Sequence, residues 1–72
     1  MSKILLNALK KKIEGDLAVA KANVLIYKET SVGIGEHSEI VQSLEMEVTK
    51  AASAQDKLKM VDILLNESDK IC

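Results

Sequence analysis

The sequence holds few residues that could carry out chemistry, and they lie in one short segment. His37 is the single histidine, with Glu36 and Glu39 beside it and Ser31 and Ser38 nearby in sequence. A metal site needs further donors, and a hydrolytic triad needs a nucleophile, a base and an orienting acid held beside a pocket. An exposed loop between helices supplies neither. We therefore expect no enzyme activity, no metal and no cofactor.

The glycines beside this histidine are better explained as part of a turn. Gly33 and Gly35 can adopt positive φ at little cost, and the segment lacks the lysine and the further glycines of a phosphate-binding loop. His37 or Ser38 can cap the helix that follows. These residues predict a loop at about residues 30–37.

Apolar residues on both sides of this loop recur three or four residues apart. That spacing places each set along one stripe of an α-helix. The first stripe contains Leu6, Leu9, Ile13, Leu17, Ala20, Val24 and Tyr27, and the second contains Ile40, Leu44, Val48, Ala51, Ala54, Leu58, Val61 and Leu65. The stripes predict helices at about residues 3–29 and 38–66, followed by a frayed polar tail at 67–72.

The chain of 72 residues is short enough to form only a single domain, and its pattern is of the all-α class. Because a short loop makes consecutive helices antiparallel neighbours, the predicted fold is an antiparallel two-helix hairpin. Folding about Ile34 pairs positions whose numbers sum to about 68, and the two stripes then match. Asp16 and Asn23 interrupt the apolar face of the first helix, where they could set the register, meet a partner or lie exposed.

The helices carry more apolar residues than one contact line can bury. Apolar residues make up 47 % of the chain, and burying such surface is worth about 25 cal/mol per Å². The surplus residues that we predict to form a partner face are Leu5, Val19, Ile26, Met60, Ile63 and Leu64. A homodimeric four-helix bundle, a dedicated protein partner and a monomer with a loose core would each explain the surplus.

The charges are divided unevenly although the net charge is only −1. Residues 1–21 hold five lysines and two acids, whereas residues 22–49 hold one lysine and five acids, so the loop end of the hairpin is the acidic end. The basic cluster that could contact nucleic-acid phosphates weakly is Lys10, Lys11, Lys12, Lys57 and Lys59. Because arginine is absent and Tyr27 is the single aromatic residue, sequence-specific nucleic-acid binding is not expected.

The sequence indicates neither a membrane protein nor an oxidising compartment. No window approaches the roughly 20 apolar residues of a membrane-spanning helix, and the first residues lack a signal-peptide pattern. Cys72 is the single cysteine and cannot form a disulfide within the chain. We therefore expect a cytoplasmic protein.

Two segments resemble a family of short proteins from T4-type tailed phages. They are residues 16–24, Asp-Leu-Ala-Val-Ala-Lys-Ala-Asn-Val, and residues 32–41, Val-Gly-Ile-Gly-Glu-His-Ser-Glu-Ile-Val. The resemblance extends over about residues 14–65, and it points to the small companion proteins of a phage recombination helicase. Ser38 stands where the family has a proline, so the start of the second helix is less stiff.

The resemblance implies a non-catalytic accessory interaction module, associated with a phage recombination and repair helicase in the host-cell cytoplasm. Weak, non-specific DNA contact through the lysine cluster would fit that role. The alternative is a self-associating phage structural or inhibitory protein, which binds a host or phage protein and no nucleic acid.

Overall fold

The computed structural model describes residues 2–30 and 38–71, and within them the side chains of 3–29 and 39–67. These residues form two helices, α1 at Ser2–Thr30 and α2 at Ser38–Ile71. The helices pack against each other, and the Cα atoms extend over 59 × 13 × 12 Å. The predicted all-α helical hairpin is confirmed.

Two side-chain pairs between the helices show that they run antiparallel. Asn23 Nδ2 donates a hydrogen bond to Glu47 Oε1 at 3.0 Å, and Lys10 Nζ lies 3.1 Å from Asp62 Oδ1. The partner's number rises as the number of the α1 residue falls, so the chain doubles back. The paired numbers sum to 70 and 72, which is within about one helical turn of the predicted register.

The core between the helices is thin. Its buried apolar side chains are Ile13, Ala20, Ala54 and Val61. Leu17, Leu58 and Leu65 are partly buried and pack against this centre. Small side chains at Ala20 and Ala54 leave room for the two backbones to approach, but they also limit how much apolar surface the pair can bury.

The observed contact line departs from the predicted stripes at two positions. Leu9 and Val48 are exposed, whereas Glu47 is buried with only 8 % of its surface accessible. Glu47 faces Asn23, whose amide supplies a hydrogen bond to its carboxylate. Because adjacent helical residues are separated by about 100°, burying Glu47 turns Val48 away from α1.

The second helix ends later than predicted, because α2 continues to Ile71 instead of ending near residue 66. Residues 67–71 therefore belong to the helix that the structure describes, and their fraying stays a prediction. Polar residues end an apolar stripe but do not end a helix, and this segment contains neither glycine nor proline.

The predicted turn cannot be compared with the structure at every position. Gly33, Gly35 and His37 lie outside the described residues. Ser38 is the first residue of α2.

A substitution at Gly15 tests whether α1 is helical at this position. A Cβ built at this position meets no heavy atom within 4 Å, so Gly15→Ala gains helix propensity without a clash. We expect the substitution to raise the free energy of unfolding by about 1 kcal/mol. Urea denaturation followed by far-UV circular dichroism, at one fixed protein concentration, measures the change.

The matched control for this measurement is Ala18→Gly, which changes an exposed residue of the same helix. It should lower the free energy of unfolding by about the same amount. A loss of stability in Gly15→Ala would contradict the helical placement of this residue.

Candidate functional site

A groove runs along one side of the hairpin between α1 and α2. It is open to solvent and has a volume of about 510 Å³. Buried side chains of Ile13, Ala20 and Ala54 form its floor. The residues along its two walls include Asp16, Val19 and Asn23 from α1 and Lys50, Ser53 and Lys57 from α2.

The wall residues belong to a second stripe on each helix, in which successive members are alternately four and three residues apart. This spacing keeps side chains on one side of a helix. In α1 the stripe is Leu5, Leu9, Lys12, Asp16, Val19, Asn23 and Ile26, and in α2 it is Met46, Lys50, Ser53, Lys57, Met60 and Leu64. We call these thirteen residues the groove face.

The groove face is apolar at both ends and polar in the middle. Twelve large apolar side chains among the described residues are exposed, and seven of them lie on this face. At the open end of the hairpin they are Leu5, Leu9, Met60 and Leu64, and toward the loop end they are Val19, Ile26 and Met46. Lys12, Asp16, Ser53 and Lys57 lie between the two apolar ends. More than half of the exposed apolar side chains are therefore collected on one side of the hairpin.

The residues that the sequence predicted as a partner face are all exposed. Five of the six lie on the groove face, whereas Ile63 lies on the outer surface of α2. The predicted partner face did not include Met46, and Leu9 was predicted to lie in the contact line with α2. Met46, Met60 and Leu64 fit one stripe with alternate spacings of four and three residues. The polar residues between them interrupt the apolar pattern, so the stripe is hard to recognise from the sequence.

The opposite side of the hairpin is more polar. Lys10, Glu14 and Lys21 lie there on α1, and Lys10 reaches across to Asp62 of α2. Leu25, Val41 and Val48 are the exposed large apolar residues on this side. The two sides of the hairpin thus differ in their capacity to bind an apolar partner.

A buried polar link lies at the loop end of the groove floor. Glu47 accepts the hydrogen bond from Asn23 through Oε1, and its Oε2 lies 3.2 Å from Lys50 Nζ. The hydrogen bond from Asn23, followed by that from Lys50, lowers the pKa of Glu47 below its ordinary value of 4.5, against the opposing effect of desolvation. Both carboxylate oxygens are therefore satisfied by polar hydrogens, and the link connects α1 to α2 at one register.

The structure does not bring the five lysines of the basic cluster onto one face. Lys12 and Lys57 lie on the groove face, whereas Lys10 and Lys59 lie on the opposite side and Lys11 on the outer surface of α1. Two of the five are already held by carboxylates: Lys10 by Asp62 at 3.1 Å and Lys12 by Asp16 at 2.8 Å. The cluster is therefore divided between two sides of the hairpin, and its contact with nucleic acid stays a prediction.

Comparison of the chain with protein-family models, with curated proteins and with solved structures gave no match. The resemblance to T4-type phage proteins therefore stays a prediction from the two sequence segments that suggested it.

The described residues contain neither a metal-binding cluster nor a helix of the membrane-spanning kind. Within residues 2–30 and 38–71, no group of three or more histidine, cysteine or acidic side chains is arranged to hold a metal ion. In the same part of the chain, neither helix combines the length and the apolar content needed to cross a membrane.

The polar link makes a prediction about pH. Because the folded state lowers the pKa of Glu47, its ionised carboxylate adds stability above the unfolded pKa near 4.5, and that contribution is lost as the pH falls through the folded pKa. We expect Glu47→Gln to weaken the loss of stability on acidification below about pH 4.5. Thermal unfolding across this range, followed by circular dichroism, measures the dependence.

Glu45→Gln is the matched control, because Glu45 is exposed on the same helix. It should retain the acid dependence that Glu47→Gln loses. A Glu47→Gln variant with the full wild-type dependence would show that this carboxylate contributes nothing to it.

Proposed function

We propose that this chain is a non-catalytic protein-interaction module, which associates through its groove face with helices of another protein chain. The observation that carries the proposal is the second stripe, which continues along both helices on one side and exposes seven large apolar residues. Stripes with this alternating spacing are the pattern by which helices pack into bundles.

The exposed area supports the same proposal. The chain exposes 5609 Å², whereas a compact monomer of 7.9 kDa exposes about 4,400 Å². The excess of roughly 1,200 Å² exceeds the ~800 Å² that each partner contributes to a standard protein interface. The elongated hairpin therefore exposes more surface than a compact chain of its mass, and a neighbour can cover part of it.

The proposal does not include nucleic-acid contact. A surface that binds phosphates gathers cations on one side, whereas the lysines of the basic cluster are divided between two sides of the hairpin and two of them are paired with acids. The groove face is better suited to a protein, because its ends are apolar and its middle contains charges of both signs.

The resemblance to T4-type phage proteins nominates a phage recombination helicase as the first partner to test. The alternative role, a self-associating structural or inhibitory protein that binds no nucleic acid, would use the same groove face. The two roles differ in which chain occupies that face.

A pair of double variants tests the role of the groove face. Val19→Lys with Met60→Lys places two charges on it, whereas Val41→Lys with Val48→Lys places two charges at comparably exposed positions on the opposite side. Because a desolvated charge opposes binding, the first variant should lower the recovery of bound chains at least about tenfold, which corresponds to ~1.4 kcal/mol. Affinity capture from the producing cells, with quantitative mass spectrometry, measures the recovery.

The control variant should recover bound chains as the wild type does. If the control variant recovers none of the bound chains better than the groove-face variant does, the proposal fails.

A further inference from the structure

We propose that the occupant of the groove face is a second copy of this chain, packed antiparallel so that the open end of each hairpin covers the loop end of the other. This inference rests on the proposed function and names its partner. The product is a four-helix bundle with its two loops at opposite ends.

The size of the chain and its thin core favour a second copy. Domains of this length rarely gain enough stability from one core, and oligomerisation is a usual remedy. Only four apolar side chains among the described residues are buried. The chain exposes more surface than a compact monomer of its mass, by more than one partner's share of a standard interface. A second copy is therefore large enough to cover the surplus and enlarge the core.

The arrangement of the groove face suits twofold symmetry. A symmetric dimer needs a surface that is complementary to itself. Because the groove face is apolar at both ends, half a turn about an axis through its middle lays the open-end cluster on the partner's loop-end cluster. In this arrangement Leu9 lies near the partner's Val19 and Met46 near the partner's Leu64, while Leu5 lies opposite the partner's Asn23 and Met60 opposite the partner's Lys50.

The two helices agree on the position of this axis. Pairing Leu9 with the partner's Val19 centres the α1 stripe at residue 14, and pairing Met46 with the partner's Leu64 centres the α2 stripe at residue 55. These centres sum to 69, close to the sums of 70 and 72 that the pairs within the hairpin show. One axis therefore serves both helices.

The charges select this arrangement over the other twofold arrangement, in which both loops lie at one end. The second arrangement would set Lys12 against the partner's Lys57 twice and bring the two acidic segments 22–49 together. The antiparallel arrangement sets Lys12 beside the partner's Asp16 and keeps the two acidic segments 22–49 at opposite ends of the bundle. Like charges placed opposite each other disfavour an interface, and opposite charges fix its orientation.

Sedimentation equilibrium tests whether a second copy binds. We expect the wild type to sediment at twice 7.9 kDa, the Val41→Lys, Val48→Lys control to remain a dimer, and the Val19→Lys, Met60→Lys variant to dissociate at least about a hundredfold more readily. The three chains compared all carry Cys72→Ser in addition, so that disulfides between chains play no part. Circular dichroism at the same concentrations shows whether each variant remains helical. A monomeric wild-type chain overturns the inference.

Disulfide formation between singly substituted chains tests the orientation. In the Cys72→Ser chain, Met46→Cys mixed with Leu64→Cys should give a mixed dimer at least about ten times faster than Val48→Cys mixed with Leu64→Cys, because a disulfide needs Cα atoms within about 7 Å. Each chain holds one cysteine, so no link can form within a chain.

Preferential linking of Leu5→Cys with Leu64→Cys would overturn the antiparallel arrangement, because those positions meet only when both loops lie at one end. A monomeric wild type whose groove face captures a different protein would overturn the second copy and leave the proposed function standing. If the chain neither self-associates nor captures another protein through the groove face, both the second copy and the proposed function are overturned.

Discussion

Two packed helices meet along one line, and each can bury only one stripe of side chains against the other. In this hairpin the line is occupied by small and medium side chains, with Ile13 and Val61 as its largest buried apolar members. The second stripe on each helix lies beside that line, and apart from Asn23 its side chains stay exposed. The exposed apolar side, the excess surface and the capacity to bind another helix pair all follow from that geometric limit.

The polar link between Asn23 and Glu47 determines which sides of the helices remain exposed. Burying a carboxylate is favourable only when its oxygens find partners, and Asn23 and Lys50 supply them at 3.0 and 3.2 Å. With Glu47 turned toward α1, Val48 points to the polar side and Lys50 borders the groove. The link thus couples the register of the hairpin to the composition of the groove face.

Helical periodicity was sufficient to predict the two helices and their pairing, because burial selects apolar residues at fixed intervals. It could not predict Glu47 in the contact line, since that position depends on an amide 24 residues earlier in the chain. It also placed the end of α2 too early, because a helix can outlast its apolar stripe. The surplus apolar residues indicated most of the groove face, but Met46 was missed because its stripe has a polar middle.

The central claim is that the groove face, and not the opposite side, binds a second copy. Methyl NMR spectra of valine- and methionine-labelled protein, recorded over a dilution series, test it most directly. We expect the signals of Val19, Met46 and Met60 to change with concentration while those of Val41 and Val48 stay constant. Changes confined to Val41 and Val48, or spectra that stay the same while sedimentation shows the dimer dissociating, would contradict the account.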